Sequence, residues 1–327
     1  MNDFESATST LDARPAPIEA SASSCGKAII VGEHAVVYGT HAVAIPLKQM
    51  RMHITIKPFT ASQKRDHTPE FHLKLSGKEV SSRISGVIPD TLDLFDYPHF
   101  SLNAQGHSNL PIGAGLGSSA SLCVAILRGL AACTSTELTT TKLASLANAL
   151  EARFHGNPSG LDTMVVAHEA PVYFSKKQKN GVALIDVKDT PGKTWEFALI
   201  DSKVRASTLS MIKIAEPYFK GSESNKRLAL FDDLAQTVKE GFKASDMDVV
   251  KDAMNACHSL LKEAGVVTPP LEAIINHSLD LGVLAAKTTG AGGGGSILCL
   301  LDPSKSEEQF QSLGKVFGVN YVHRVKL

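Results

Sequence analysis

Between Pro111 and Ser119 the chain reads Pro-Ile-Gly-Ala-Gly-Leu-Gly-Ser-Ser, and an apolar stretch of helical length follows at once. Glycines at alternate positions let backbone amides approach a ligand that a Cβ would hold off. The helix that follows aims its unpaired N–H groups and the positive end of its dipole at the same place. Ser118 and Ser119 add hydroxyls suited to a phosphate or a magnesium ion, and a simple turn needs fewer glycines than this. The segment predicts an anion cradle. Lys and Arg number 33 against 33 Asp and Glu, so the chain carries no net charge with which to attract a nucleic acid or an anionic membrane. Any anion it binds must be gripped locally. No apolar run reaches the roughly 18 residues that span a bilayer.

Two further segments carry glycine. Gly290, Gly292 and Gly295 satisfy the G-x-G-x-x-G spacing literally, but Ser296–Leu301 reads as a strand where a dinucleotide site needs a helix. Four consecutive glycines cost much chain entropy, which suggests either a hairpin turn or a backbone that something approaches closely. The P-loop pattern fails as well: Val187 stands where Gly192-Lys193-Thr194 requires a glycine, and Ala28 follows Gly26-Lys27. A Rossmann dehydrogenase and a P-loop NTPase are thereby disfavoured. The last segment runs from Cys25 to Gly39, a strand with Lys27 at its start and a turn bearing Glu33 and His34. Taken alone, these would be a solvated lysine and a structural histidine.

The length, 327 residues, suits about two domains. Alternating patterns predict strands at Lys27–Val31, Arg51–Lys57, Phe71–Leu75 and Phe100–Asn103. Helices are expected from Ser118 or Ser119 to Ala132 and from the Thr139–Thr141 cluster to Gly156, and Asp162 falls at or near the start of a third. The polar stretch Ser175–Lys193 reads as an exposed hairpin or a domain boundary. Beyond it come a strand at Glu196–Asp201, helices between Thr208 and Leu281, strands at Leu284–Thr288 and Ser296–Leu301, a helix from Ser304 and a last strand at Asn320–Lys326. This irregular interleaving favours an α+β class. Residues 1–22, acidic and rich in Ser, Thr, Ala and Pro, are expected to form a flexible arm and lack the pattern of a secretory signal. Five scattered cysteines without a CxxC pair predict reduced, buried thiols and no zinc. The default expectation is a cytoplasmic protein; the C-terminal Val-Lys-Leu shares only two residues with a peroxisomal address, which leaves a peroxisome-like organelle as the alternative.

Taken together, these segments resemble the signature motifs of the GHMP kinases, a superfamily that phosphorylates small alcohols. Gly26-Lys27 with Gly32–Gly39 resembles its first motif, Gly113–Ser119 its phosphate loop, His155–Asp162 its catalytic segment and Lys287–Gly295 its third motif. The Gly-Glu-His-Ala-Val-Val and Asn-Pro-Ser-Gly-Leu-Asp segments are most similar to those of the mevalonate-phosphorylating branch. Cys25, Ile112, Thr163 and Ser296 depart from the usual residues without removing a charged or metal-binding group. Lys203-Val204-Arg205 resembles a substrate-side segment with its arginine shifted by one.

The resemblance implies two α+β domains, 23–190 and 191–327, the first like domain 2 of ribosomal protein S5 and the second a ferredoxin-like sandwich. It implies ATP and mevalonate as partners and Mg2+ as cofactor, and it allows a homodimer. Gly113, Ala114, Gly115, Leu116, Gly117, Ser118 and Ser119 would hold the triphosphate, with Ser108 and Lys27 beside it. Ser119 and Glu151 would hold the metal. Asp162 and Lys27 would be catalytic, and His34 and Gly290 would join them around the acceptor. An ordinary carboxylate lies about 12 pKa units below a hydroxyl, roughly 16 kcal/mol, so Asp162 is expected to orient the hydroxyl and take its proton late.

Overall fold

The computed structural model describes residues 17–59, 71–80, 87–95, 101–155, 158–177, 182–187 and 194–327. The catalytic-segment residues Gly156 and Asn157, most of the expected arm and the segment around residue 190 lie outside the described residues. In chain order come β1 (Ala20–Val31), a single 3-10 turn (Ala35–Tyr38), β2 (His41–Phe59), β3 (Phe71–Leu75), β4 (Lys78–Glu79), α1 (Val87–Leu94), β5 (Ser101–Ser108), α2 (Ser118–Cys133), α3 (Thr140–His155), α4 (Leu161–His168), β6 (Val172–Ser175) and β7 (Val182–Leu184). The remainder is β8 (Glu196–Asp201), α5 (Thr208–Lys220), α6 (Ser224–Ala244), α7 (Met247–Glu263), α8 (Pro269–Asp280), β9 (Ala285–Thr289), β10 (Ser296–Leu300), α9 (Ser306–Phe317) and β11 (Val322–Lys326).

A seven-stranded sheet runs β4-β3-β5-β2-β6-β7 with β1 paired to β2, and a four-stranded sheet runs β11-β8-β10-β9. This is the expected two-domain α+β architecture. One face of the larger sheet packs against α1, α2 and α3, through Ile54, Ile56, Leu102, Ala125, Leu127 and Ala147 among others. Its other face, through Ala28, Ile30, Val43 and Ile45, meets Phe231, Val238 and Phe242 of α6 and Val250 and Met254 of α7. The smaller sheet is buried on both faces. Phe197 and Leu199 of β8 join that same core, whereas Ala198 and Ile200 face Leu271 and Ile275 of α8 and Leu313 of α9. A strand covered on both sides reads as a continuous apolar run, and Glu196–Asp201 does.

Two features of β1 and β2 position the site. The pairing register jumps between Cys25↔Arg51 and Gly26↔Leu47, which kinks the β1–β2 ribbon. Gly26 sits at the kink, where a Cβ would lie 2.4 Å from Leu110 Cδ2 and 3.0 Å from the Leu116 carbonyl oxygen. The close approach lets the Lys27 amide donate to Leu116 O at 3.0 Å, tying β1 to the glycine-rich loop. At the other end, β1 begins at Ala20, so the last residues of the expected arm are strand residues paired with β2.

Candidate active site

A cavity of about 240 Å3 opens where the end of β1, the Gly113–Ser119 loop, the first turns of α2, α4 and α5, and the Gly290–Ala291 turn converge. Its walls include Lys27, Glu33, His34, Ser118, Ser119, Glu151, Ser159 and Asp162. Gly113, Gly115 and Gly117 all have φ between 70° and 77°, a left-handed conformation that costs glycine little. No side chain caps the start of α2, whose N-cap is Gly117. An uncapped helix start beside such a loop is a ready anion site.

Lys27, only 3% exposed, places its Nζ 3.2 Å from Asp162 Oδ2 and donates to Gly115 O at 3.0 Å. The kinked strand thus delivers an ammonium group to the loop and to the carboxylate at once. Asp162 is the second residue of α4, at the helix start where the sequence places it, and the cap is Gly160 (φ 92°) rather than the aspartate. With its backbone inside the first turn, its side chain is released to face the cavity. A Cβ at Gly117 would stand 2.9 Å from Lys27 Cγ and 3.6 Å from Asp162 Oδ2, so the loop glycine makes room for the pair.

Ser119 Oγ donates to Glu151 Oε1 at 2.8 Å. Burial pushes the Glu151 carboxyl up to about 8, with repulsion from Asp162 adding to it and the Ser119 hydrogen bond and Lys27 opposing it. Among the described residues no group of three or more His, Cys, Asp and Glu could hold a metal. One hydroxyl beside one carboxylate, with phosphate oxygens and water completing the shell, is nevertheless the donor set magnesium accepts. A dication would also offset the cost that holds Glu151 protonated, so the pair fits the ion. Because the native carboxyl binds its proton more tightly than the unfolded chain does, the stability from that proton is complete below about pH 4.5 and lost as pH rises to about 8. Thermal unfolding of the metal-free protein from pH 5 to 8.5 should therefore show the wild type losing several degrees more than Glu151→Gln. Parallel profiles would contradict the buried, protonated carboxyl.

The first and third motifs meet beneath the cavity. His34 adopts φ 59°, and its Nε2 donates to Ala291 O at 2.9 Å. Burial lowers the His34 pKa, so the ring is neutral near pH 7. Ile29 N donates to Thr289 Oγ1 at 2.7 Å. Glu33 pairs with Lys287, both essentially without solvent contact, and Glu33 Oε2 also accepts from the Cys257 thiol at 3.6 Å. Gly115 and Gly290 are in backbone contact: a Cβ on Gly290 would lie 3.0 Å from Gly115 O. The glycine run is thus both a hairpin turn between β9 and β10 and a surface for close approach.

Lys27, His34, Glu151, Asp162, Gly290 and the loop residues Gly113, Gly115, Leu116, Gly117, Ser118 and Ser119 all line the cavity. Ser108 and Ala114 do not: Ser108 Oγ accepts from Leu110 N at 3.0 Å, and Ala114 is buried against Gly295. Arg205 also lies off the lining, its guanidinium bound to both carboxylate oxygens of Asp201 at 2.7 Å. Sequence reasoning missed the Glu33–Lys287 pair and the apolar wall of Val36, Val37, Ala206, Leu209 and Ile212. A lysine inside the apolar strand Leu284–Thr288 was the available signal, since it needs a buried counter-charge.

The family model "GHMP kinases N terminal domain" matches residues 84–169, and "GHMP kinases C terminal" matches residues 238–318. The chain is 27% identical over 305 residues to a mevalonate kinase of Thermococcus sibiricus, spanning 88% of this chain and 90% of that one. Its fold is similar to that of L. major mevalonate kinase in complex with R-mevalonate, with TM-score 0.75, 19% identity and coverage of 94% and 95%. It is equally similar to Streptococcus pneumoniae phosphomevalonate kinase in complex with phosphomevalonate and AMPPNP, with TM-score 0.75, 18% identity and coverage of 94% and 99%.

Proposed function

The chain belongs to the GHMP kinase family, and on that premise we propose that it transfers the γ-phosphoryl group of ATP to the C5 hydroxyl of mevalonate, giving the 5-phosphomevalonate used in isoprenoid and sterol precursor synthesis. The observation that carries this reading is the Lys27–Asp162 pair, held at the mouth of an uncapped glycine-rich loop inside one cavity. Fold similarity does not separate mevalonate from phosphomevalonate as acceptor; the sequence relatives favour mevalonate.

In this mechanism the amides of the loop and of the first turn of α2 hold the triphosphate. Ser119 and Glu151 would hold Mg2+, which when bound neutralises phosphate charge. Asp162 orients the acceptor hydroxyl in line with the γ-phosphorus. As the new O–P bond forms and the bond to the β-phosphate oxygen breaks, ADP leaves and the hydroxyl proton passes to Asp162. Lys27 is fixed by Asp162 and Gly115 O, so its charge is already in place where negative charge moves between the two oxygens. His34 and the Gly290–Ala291 turn close the acceptor side. The apolar wall of Val36, Val37, Leu209 and Ile212 suits the carbon skeleton of a small branched alcohol.

ADP release measured with mevalonate, phosphomevalonate, homoserine and galactose as alternative acceptors tests the assignment. Mevalonate is expected to give a kcat/KM at least about 100-fold above the others, the discrimination of a site built around one substrate's polar groups. A preference for another acceptor would move the chain to a different branch of the family.

A further inference from the structure

Arg205 lies in the segment between β8 and α5, where Ser202 N donates to Gly295 O at 2.9 Å and Gly295 N donates to Val204 O at 2.8 Å. The segment is therefore laid directly on the glycine turn of the third motif. From it the Arg205 side chain crosses to the phosphate loop. Its Nε donates to Ile112 O at 3.0 Å, one terminal nitrogen donates to Asp201 Oδ1 at 2.7 Å and to Val204 O at 3.2 Å, and the other donates to Asp201 Oδ2 at 2.7 Å. Asp201 is itself 8% exposed, so the anchor is set in the end of a buried strand. A planar guanidinium engaged along two edges has little freedom to turn.

In a trans peptide the C=O and the following N–H point in opposite directions. Three loop carbonyls are tied down from outside the loop: Ile112 O by Arg205, Gly115 O by the Lys27 side chain and Leu116 O by the Lys27 amide. The amides of Gly113, Leu116 and Gly117 consequently point away from those anchors, and all three residues line the cavity. The Ile112 side chain, 82% exposed, contributes no packing that would hold the start of the loop. Arg205 also stacks its stem on Gly113, where a Cβ would meet Arg205 Cδ at 3.3 Å.

We propose that Arg205 is a positioning residue for the phosphates of the nucleotide: it fixes the Ile112–Gly113 peptide with its N–H presented to the cavity and locks that loop to the acceptor-side segment, and it does not bind the acceptor. The proposal rests on the kinase reading above. It assigns to the shifted arginine a role opposite to the one its substrate-side segment suggests.

The test compares direct binding of ATP in the presence of Mg2+ with the KM for mevalonate in the wild type, Arg205→Ala, Arg205→Lys and Asp201→Asn, each checked by thermal unfolding. Arg205→Ala should weaken ATP binding about tenfold, the loss of one charge-assisted hydrogen bond, while the KM for mevalonate stays within about twofold. Lys cannot serve the Asp201 carboxylate and Ile112 O together, so Arg205→Lys should recover little of the loss. Asp201→Asn keeps the arginine but loosens its anchor and should weaken ATP binding by about threefold. Unchanged ATP affinity in Arg205→Ala, full recovery in Arg205→Lys, or a rise confined to the mevalonate KM would each overturn the proposal. A wild-type chain that fails to bind ATP would overturn the kinase reading itself, an outcome visible before any variant is made.

Discussion

Asp162→Asn is expected to lower turnover about a thousandfold while leaving the affinity for ATP unchanged. The asparagine keeps a carbonyl oxygen where Asp162 Oδ2 stands 3.2 Å from Lys27 Nζ, so the geometry of the pair survives. What it loses is the capacity to take the hydroxyl proton as the bond to phosphorus forms, and a positioned general base typically contributes 10²–10⁴-fold. The loss should appear in kcat and kcat/KM alike, since the interaction is made in the transition state rather than on binding. Removing the charge also relieves the repulsion that helps hold the Glu151 carboxyl above its ordinary pKa. Metal and nucleotide binding should therefore tolerate the change. Steady-state kinetics beside an ATP titration checks this, and near-normal turnover would remove Asp162 from the mechanism.

Lys287→Met should be the most damaging substitution for stability. Lys287 and Glu33 have no appreciable contact with solvent, and removing one partner strands the other as a buried charge. Breaking such a pair costs about 3–5 kcal/mol, which for a chain of this size lowers the Tm by roughly 4–7 °C. The double variant Glu33→Gln/Lys287→Met should recover much of the loss, because the stranded charge is gone. The pair also joins the two domains directly beneath the turn that carries Gly290 and Ala291. A Tm within a degree or two of the wild type in the single variant would mean that Glu33 is satisfied by Cys257 and the surrounding dipoles alone.

Local chemistry made some of the molecule legible in its sequence. The segments Phe71–Leu75 and Glu196–Asp201 are strands with those limits, and α2 runs Ser118–Cys133 because a largely apolar stretch, broken by Arg128, follows Gly117. Thr139 Oγ1 accepts from Lys142 N at 3.2 Å, so the threonine cluster does begin α3. The strand β2 was legible only in its second half. From His41 to Leu47 it is covered on both faces and reads as a continuous apolar run, and Pro46 interrupts any strand pattern. Pro46 is tolerated because β6 pairs with β2 only through Ala44 and β5 only from Met52, so the missing N–H falls in a gap between the two ladders. The start of β1 escaped notice for a different reason. Ala20–Ser24 is small and polar, with no alternation, and is held by pairing with β2 and by Ser24 Oγ donating to Ser121 O at 2.6 Å.

The same division holds for the active site. Residues whose role depends on the local chain, such as the loop glycines and the serines that open α2, could be named from the sequence. Residues whose role depends on a distant partner could not. Glu33 and Lys287 are 254 positions apart, and the direction of Arg205 is decided by Asp201 and by a carbonyl 93 positions away.

Phosphorus NMR of a mixture of the protein, Mg2+, ATP and R-mevalonate tests the central claim most directly, because it reads the bond that forms rather than the nucleotide consumed. The account predicts one new phosphomonoester resonance that grows in step with ADP, that shows coupling to the C5 methylene protons, and that is all but absent with Asp162→Asn. Inorganic phosphate appearing with mevalonate unchanged, or a product formed equally well by the Asp162→Asn protein, would contradict it.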